Sequence, residues 1–82
     1  MYLTVQVSAY PLGQEEFIPP IDEAIAALHG PGLETTVGPL STLVSGEEEA
    51  VWAALRRAFA ATAAHGAAVM VVTVTNACVR AG

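Results

Sequence analysis

The groups in this sequence best placed to do chemistry are uncharged. Gln6, Ser8, Tyr10, Ser41, Thr42, Thr73, Thr75 and Asn76 all sit on or beside apolar, β-like stretches. Amides and hydroxyls offer donors and acceptors without a charge, which suits a small heteroaromatic ligand with several polar edge atoms. They do not suit a phosphate, since no glycine-rich loop and no lysine accompanies them. The same residues also fit a purely structural part, with Thr and Ser pairing across strands and Asn76 making a turn.

The ionisable residues add no catalytic constellation. His29 and His65 each precede a glycine at the end of a helical pattern, where an imidazole satisfies terminal carbonyls. They lack metal-ligand spacing, and Cys78 has no second thiol near it, so no metal site is expected. Cys78 also lacks the adjacent base a nucleophile needs. The run Glu47-Glu48-Glu49 reads as a solvated first helical turn. Arg56 and Arg57 read as surface residues. Trp52 reads as core, with stacking on a flat ring as its other use. No enzyme activity and no cofactor is therefore expected.

Positioning these groups falls to one domain, 1–82. A chain of 82 residues buries only roughly 60–65% of its unfolded surface, so its core is thin. Its 54% hydrophobic content and mean hydropathy of +0.52 are high for a free monomer. Eight acidic against three basic residues give a net charge of −5. That balance excludes non-specific nucleic-acid binding and disfavours an anionic membrane surface. A single cysteine points to a reducing cytoplasm. The N-terminal MYLTVQVSAY alternates like a strand and lacks the basic region of a signal peptide, and no apolar run is long enough to span a membrane.

Tyr2 to Tyr10 alternates with period two and reads as a strand, broken by Pro11-Leu12-Gly13. Pro19-Pro20 fits only a first helical turn, so a helix is predicted from there to Leu28 or His29, burying Ile21, Ala24, Ile25 and Leu28. Gly30-Pro31-Gly32 stops it. Leu33–Val37 and Leu40–Ser45 read as a hairpin across Gly38-Pro39. Ser45 and Glu48 fit a capping box for a helix from about Glu47 to Ala64, with Val51, Trp52, Leu55, Phe59 and Thr62 inside. His65-Gly66 ends that helix, and Ala67–Asn76 is the last strand. The order β-α-β-β-α-β predicts a ferredoxin-like α+β sandwich: a four-stranded antiparallel sheet in the order 4-1-3-2 with two helices on one face. The last strand is apolar on both sides, and a chain this short cannot cover both. A second subunit is expected to help.

Several stretches carry a resemblance. VQVSAYPLG (5–13), PPIDEAIAAL (19–28), GLETTVGPLSTLVSGE (32–47), VWAALRRAF (51–59) and VMVVTVTNAC (69–78) resemble the thiamine-binding YkoF-like family, most specifically in the ordered set YPLG, GPLST and TVTNAC. The resemblance implies a ferredoxin-like domain that assembles through sheet faces into dimers or tetramers. It also implies that thiamine or its hydroxymethylpyrimidine moiety is bound without chemistry, in thiamine or precursor salvage. The positions it implies for ligand contact are Gln6, Ser8, Tyr10, Thr42, Thr75 and Asn76. Asn76 or Gln6 would offer a bidentate amide to an aminopyrimidine edge, and Glu23 or Asp22 is a second-choice acceptor. The alternative is a structural or regulatory homo-oligomer of the same fold with no thiamine ligand.

Overall fold

The structure, a computed structural model, describes residues 1–13 and 18–77, with side chains from residue 21 onward in the second stretch. Cys78 lies outside the described residues. The elements are β1 (Tyr2–Pro11), α1 (Ile18–Ala27), β2 (Glu34–Val37), β3 (Thr42–Glu47), α2 (Glu48–Ala63) and β4 (Ala68–Thr75). The strands pair antiparallel in the order β2-β3-β1-β4, which is the expected 4-1-3-2 read from the other edge.

Alternation along β1 decides the two faces. Leu3, Val5 and Val7 are buried under the helices, while Thr4, Gln6, Ser8 and Tyr10 lie on the open face. Val44 on β3 pairs with Val5, and both are fully buried with Val51 of α2. Ala24 and Leu28 from α1, with Ala54, Leu55 and Ala58 from α2, complete the core. Small residues at the helix–helix and helix–sheet contacts let the layers approach closely. Gly46 shows how closely: a Cβ there would stand 2.7 Å from the Gly32 carbonyl oxygen, so the strand needs glycine at that point.

Four expectations are corrected. Trp52 and Phe59 are not inside α2 but 47% and 40% exposed; the inner stripe is Val51, Ala54, Leu55, Ala58 and Thr62. Ile21 is likewise exposed rather than core. Ser45 is no helix cap. It sits within β3, and its hydroxyl lies 2.8 Å from that of Thr4 across the open face. Strand pairing runs on through Gly46 and Glu47, and the Glu48 amide is satisfied by the Met1 carbonyl instead of a side chain. His65 does not meet a helix-terminal carbonyl: its Nε2 lies 2.6 Å from a Glu23 carboxylate oxygen, tying the end of α2 to α1. His29 does behave as expected, with Nδ1 2.9 Å from the Ile25 carbonyl. Arg57 donates to the Ala27 carbonyl at the end of α1, where a cation is favoured.

The chain alone leaves both sides of β4 partly wet. On the open face Val71 is 55% exposed, and on the helix side Met70 and Val72 are only half-buried.

Candidate ligand-binding site

A notch in the sheet makes the site. The β1–β3 ladder ends at Val7 opposite Thr42, yet β1 continues to Pro11 with only β4 beside it. On the helix side, α1 packs along α2 and over β1 but stands off from β2 and β3. The gap is a cavity of about 250 Å³. The β2–β3 turn forms its outer wall and is closed by the Gly38 amide donating to the Ser41 carbonyl at 2.9 Å. A Cβ at Gly38 would stand 2.9 Å from that same oxygen, so the tight turn requires glycine.

The wall is mostly apolar, from Val7, Ala24, Ile25, Leu28 and Ala58, and none of the described lining residues carries a charge. Three residues with hydroxyls line it, Thr42 from the helix side and Ser8 and Ser41 from the open face. Ser8 donates to the Leu40 carbonyl at 3.4 Å. Ser41 accepts from the Gln6 amide at 2.9 Å, which leaves its own proton free to donate. Thr42 is 6% exposed, and its hydroxyl bonds to no other described residue. The rim is apolar, with the half-exposed Tyr10 ring on one side and Leu40, 88% exposed, on the other. A volume just below the usual ~300 Å³ floor of small-molecule sites fits one heteroaromatic ring more readily than a larger ligand.

Of the six residues named from the sequence, Ser8, Tyr10 and Thr42 line this cavity, and Gln6 stands at its edge through Ser41. Thr75 and Asn76 are elsewhere. Thr75 pairs with Thr4, six residues back along β1 from Tyr10, which is about 20 Å at strand spacing. There Thr75 Oγ1 accepts from the Ala77 amide at 3.0 Å, and the Asn76 side-chain amide donates to the Met1 sulfur at 3.4 Å. Neither Glu23 nor Asp22 lines the cavity. An ion-paired group lies at that far end too. The Met1 ammonium is held above its usual range, first by its hydrogen bond to the Glu47 carboxylate at 3.4 Å and then by Glu48. Sequence reasoning missed Val37, Leu40 and Ile21 as wall and rim. The GPLS turn was the available signal, because a turn that ends a strand early leaves a gap beside its neighbour. Among the described residues no cluster of His, Cys, Asp and Glu is placed to hold a metal.

The fold and cavity define the class: a ferredoxin-like α+β domain with a recess, lined among the described residues by uncharged side chains, where β3 stops short of the end of β1. The chain belongs to the thiamine-binding protein family, whose model matches residues 5–80. Solved structures with the same fold include a hypothetical protein, MJ1052, from Methanocaldococcus jannascii, with TM-score 0.85 and 16% identity over 98% of this chain and 84% of that one. A domain of unknown function from Bacillus cereus has TM-score 0.78 and 20% identity, covering 92% and 75%. A Thermotoga maritima protein provisionally described as acting in thiamine biosynthesis or salvage has TM-score 0.76 and 22% identity, covering 90% and 82%. No curated protein matches the chain by sequence.

Proposed function

We propose that the chain is a non-catalytic binding protein for thiamine or its hydroxymethylpyrimidine moiety, with the ring held in the notch between α1 and the β2–β3 turn. The observation that carries this reading is the Thr42 hydroxyl, buried in an uncharged wall with no described partner. A group in that state is costly to leave unpaired and is therefore a ready donor for a ring nitrogen. Ser8 and Ser41 supply the second polar edge, Gln6 steadies Ser41, and Tyr10 offers a face for stacking. Thiamine's cationic thiazolium would project past Leu40 into water, toward a surface of net negative charge. Thr75 and Asn76 would join the same site only from a second subunit. The protein would work in the cytoplasm, in salvage, as a dimer or tetramer built on the open sheet face, where Val71, Val69 and Leu43 are exposed.

Isothermal calorimetry with thiamine and with hydroxymethylpyrimidine tests the reading. Saturable heat at micromolar ligand is expected; silence at millimolar concentrations of both removes it. The structural-oligomer alternative draws support from the middle of the open face, where Thr4 pairs with Ser45 and Gln6 with Ser41, so those groups serve the sheet. That alternative predicts assembly with no heat from either ligand.

A further inference from the structure

The main-chain groups of β1 divide between its two neighbours, and the division leaves one residue over. On the β4 side the Leu12 amide donates to the Ala67 carbonyl at 2.8 Å. On the β3 side the Glu48 amide donates to the Met1 carbonyl, also at 2.8 Å. Residues of an antiparallel strand alternate in this respect, so the even residues of β1 turn their N–H and C=O toward β4 and the odd ones toward β3. Met1, Leu3, Val5 and Val7 thus meet Glu48, Gly46, Val44 and Thr42 in turn. Ala9 is next on that side. In continued register it would meet Leu40, but Leu40 has left the ladder for the turn, and its carbonyl accepts from the Ser8 hydroxyl. No described residue pairs with the Ala9 N–H or C=O, and both face the notch that Ala9 lines. Pro11 follows on the same side with no N–H to satisfy, as suits an open strand edge.

We propose that this main-chain pair recognises the ligand: the Ala9 N–H donates to a ring nitrogen, and the Ala9 C=O accepts from the amino group beside it. The ligand class is then a one-ring cyclic amidine, a heterocycle with an unsubstituted amino group next to an unprotonated ring nitrogen. This rests on the small-ligand reading of the notch given above and adds which atoms read the ring. Three features carry it. The first is direction. The N–H and C=O of one extended residue point the same way and lie close together, which matches the acceptor and donor of an amidine edge. The second is rigidity. Ser8 and Tyr10, on either side, pair with Val71 and Val69 of β4, and the Ala9 methyl packs against the core, so binding requires no rearrangement of the strand. The third is reach. The Thr42 hydroxyl belongs to the residue opposite Val7, about 7 Å back along the edge, so a single six-membered ring can present one nitrogen to Ala9 and another to Thr42. A peptide strand suits this edge poorly. It would find one N–H before Pro11, where strand addition uses a run of them.

Amide exchange by NMR on the full chain, free and with hydroxymethylpyrimidine, tests the proposal. In the free protein the Ala9 amide should exchange roughly tenfold or more faster than those of Ser8 and Tyr10, although it lies between them. Saturating ligand should slow it by about the same factor. By calorimetry, the analogue with hydrogen in place of the amino group should bind about tenfold more weakly. Ala9→Pro deletes the N–H without removing a ladder bond and should weaken Kd about tenfold or more, whereas Ala9→Ser keeps the N–H and should stay within about threefold. An Ala9 amide as protected as its neighbours in the free chain overturns the proposal. So does saturable heat from hydroxymethylpyrimidine with no change at that amide. Both of these results leave the wider ligand reading standing. Equal weakening by Ala9→Ser and Ala9→Pro overturns it too, because the side chain would then be what matters. No heat from hydroxymethylpyrimidine or thiamine removes the wider reading and this proposal together.

Discussion

Replacing Thr42 by Val separates the two costs that the notch balances. The side chains have nearly the same shape, so the change removes a hydroxyl and leaves the wall intact. In the free protein Thr42 is 6% exposed and its hydroxyl has no described partner, so its removal ends a desolvation penalty of about 1–3 kcal/mol. Water reaching the open notch offsets part of this, so a gain near ~1 kcal/mol is expected. For a domain of this length ~1 kcal/mol raises Tm by about 4–8 °C. Ligand binding should move the other way. Loss of one hydrogen bond costs about 0.5–1.5 kcal/mol, or roughly 2- to 12-fold in Kd. Urea unfolding at fixed protein concentration and calorimetry with hydroxymethylpyrimidine measure the two changes on one preparation. A variant that is less stable, with Kd unchanged, would mean that the Thr42 hydroxyl serves the fold, and the site as built here would be wrong.

Further expectations follow from the packing. Val44→Ala empties space at the centre of the core and should cost about 2–3 kcal/mol in urea unfolding; under 1 kcal/mol would show that the layers collapse to fill it. Val72→Asp, half-buried under α2, should unfold the chain or nearly so, whereas Val71→Asp on the open face should leave it folded and alter only its mass by light scattering. Equal damage from both would contradict the assignment of faces. A double-mutant cycle of Thr4→Val and Ser45→Ala should give a coupling of about 0.5–1 kcal/mol, with helix content by circular dichroism unchanged; a loss of helix in Ser45→Ala alone would bring back the capping role. Glu23→Gln, at an exposed pair with His65, should cost no more than about 0.5 kcal/mol.

The topology was legible because its signals are local. Alternation in Tyr2–Tyr10, the prolines at 19 and 20, and the glycines flanking each helix mark strand, start and stop without reference to the rest of the chain. The phase of α2 was not legible, because an alanine-rich helix permits two stripes. Spacing alone favours Trp52, Leu55 and Phe59 for their size. The structure instead buries Ala54 and Ala58, since a helix set close on a sheet has room for methyl groups and must put its indole and phenyl rings at the margin. Ser45 misled for a related reason: a capping box is a local preference of about 1 kcal/mol, and two more strand pairs outweigh it. As for the site, alternation assigns Ser8, Tyr10 and Thr75 to one face of the sheet but is silent about which end each occupies. Antiparallel pairing of β1 with β4 then sends Thr75 and Asn76 to the end away from the notch.

One consequence of the shortened β3 concerns how such a domain can change its preferences. The residues that would meet a ligand belong largely to the connection Gly38–Ser41 and to the part of β1 that outruns its neighbour, whereas stability resides in Val5, Val44 and Val51. Recognition and folding are therefore written in different parts of the chain. A lineage could keep Gly38, exchange Pro39, Leu40 and Ser41 or alter their polarity, and acquire a taste for another compound while the sandwich beneath stays as it was.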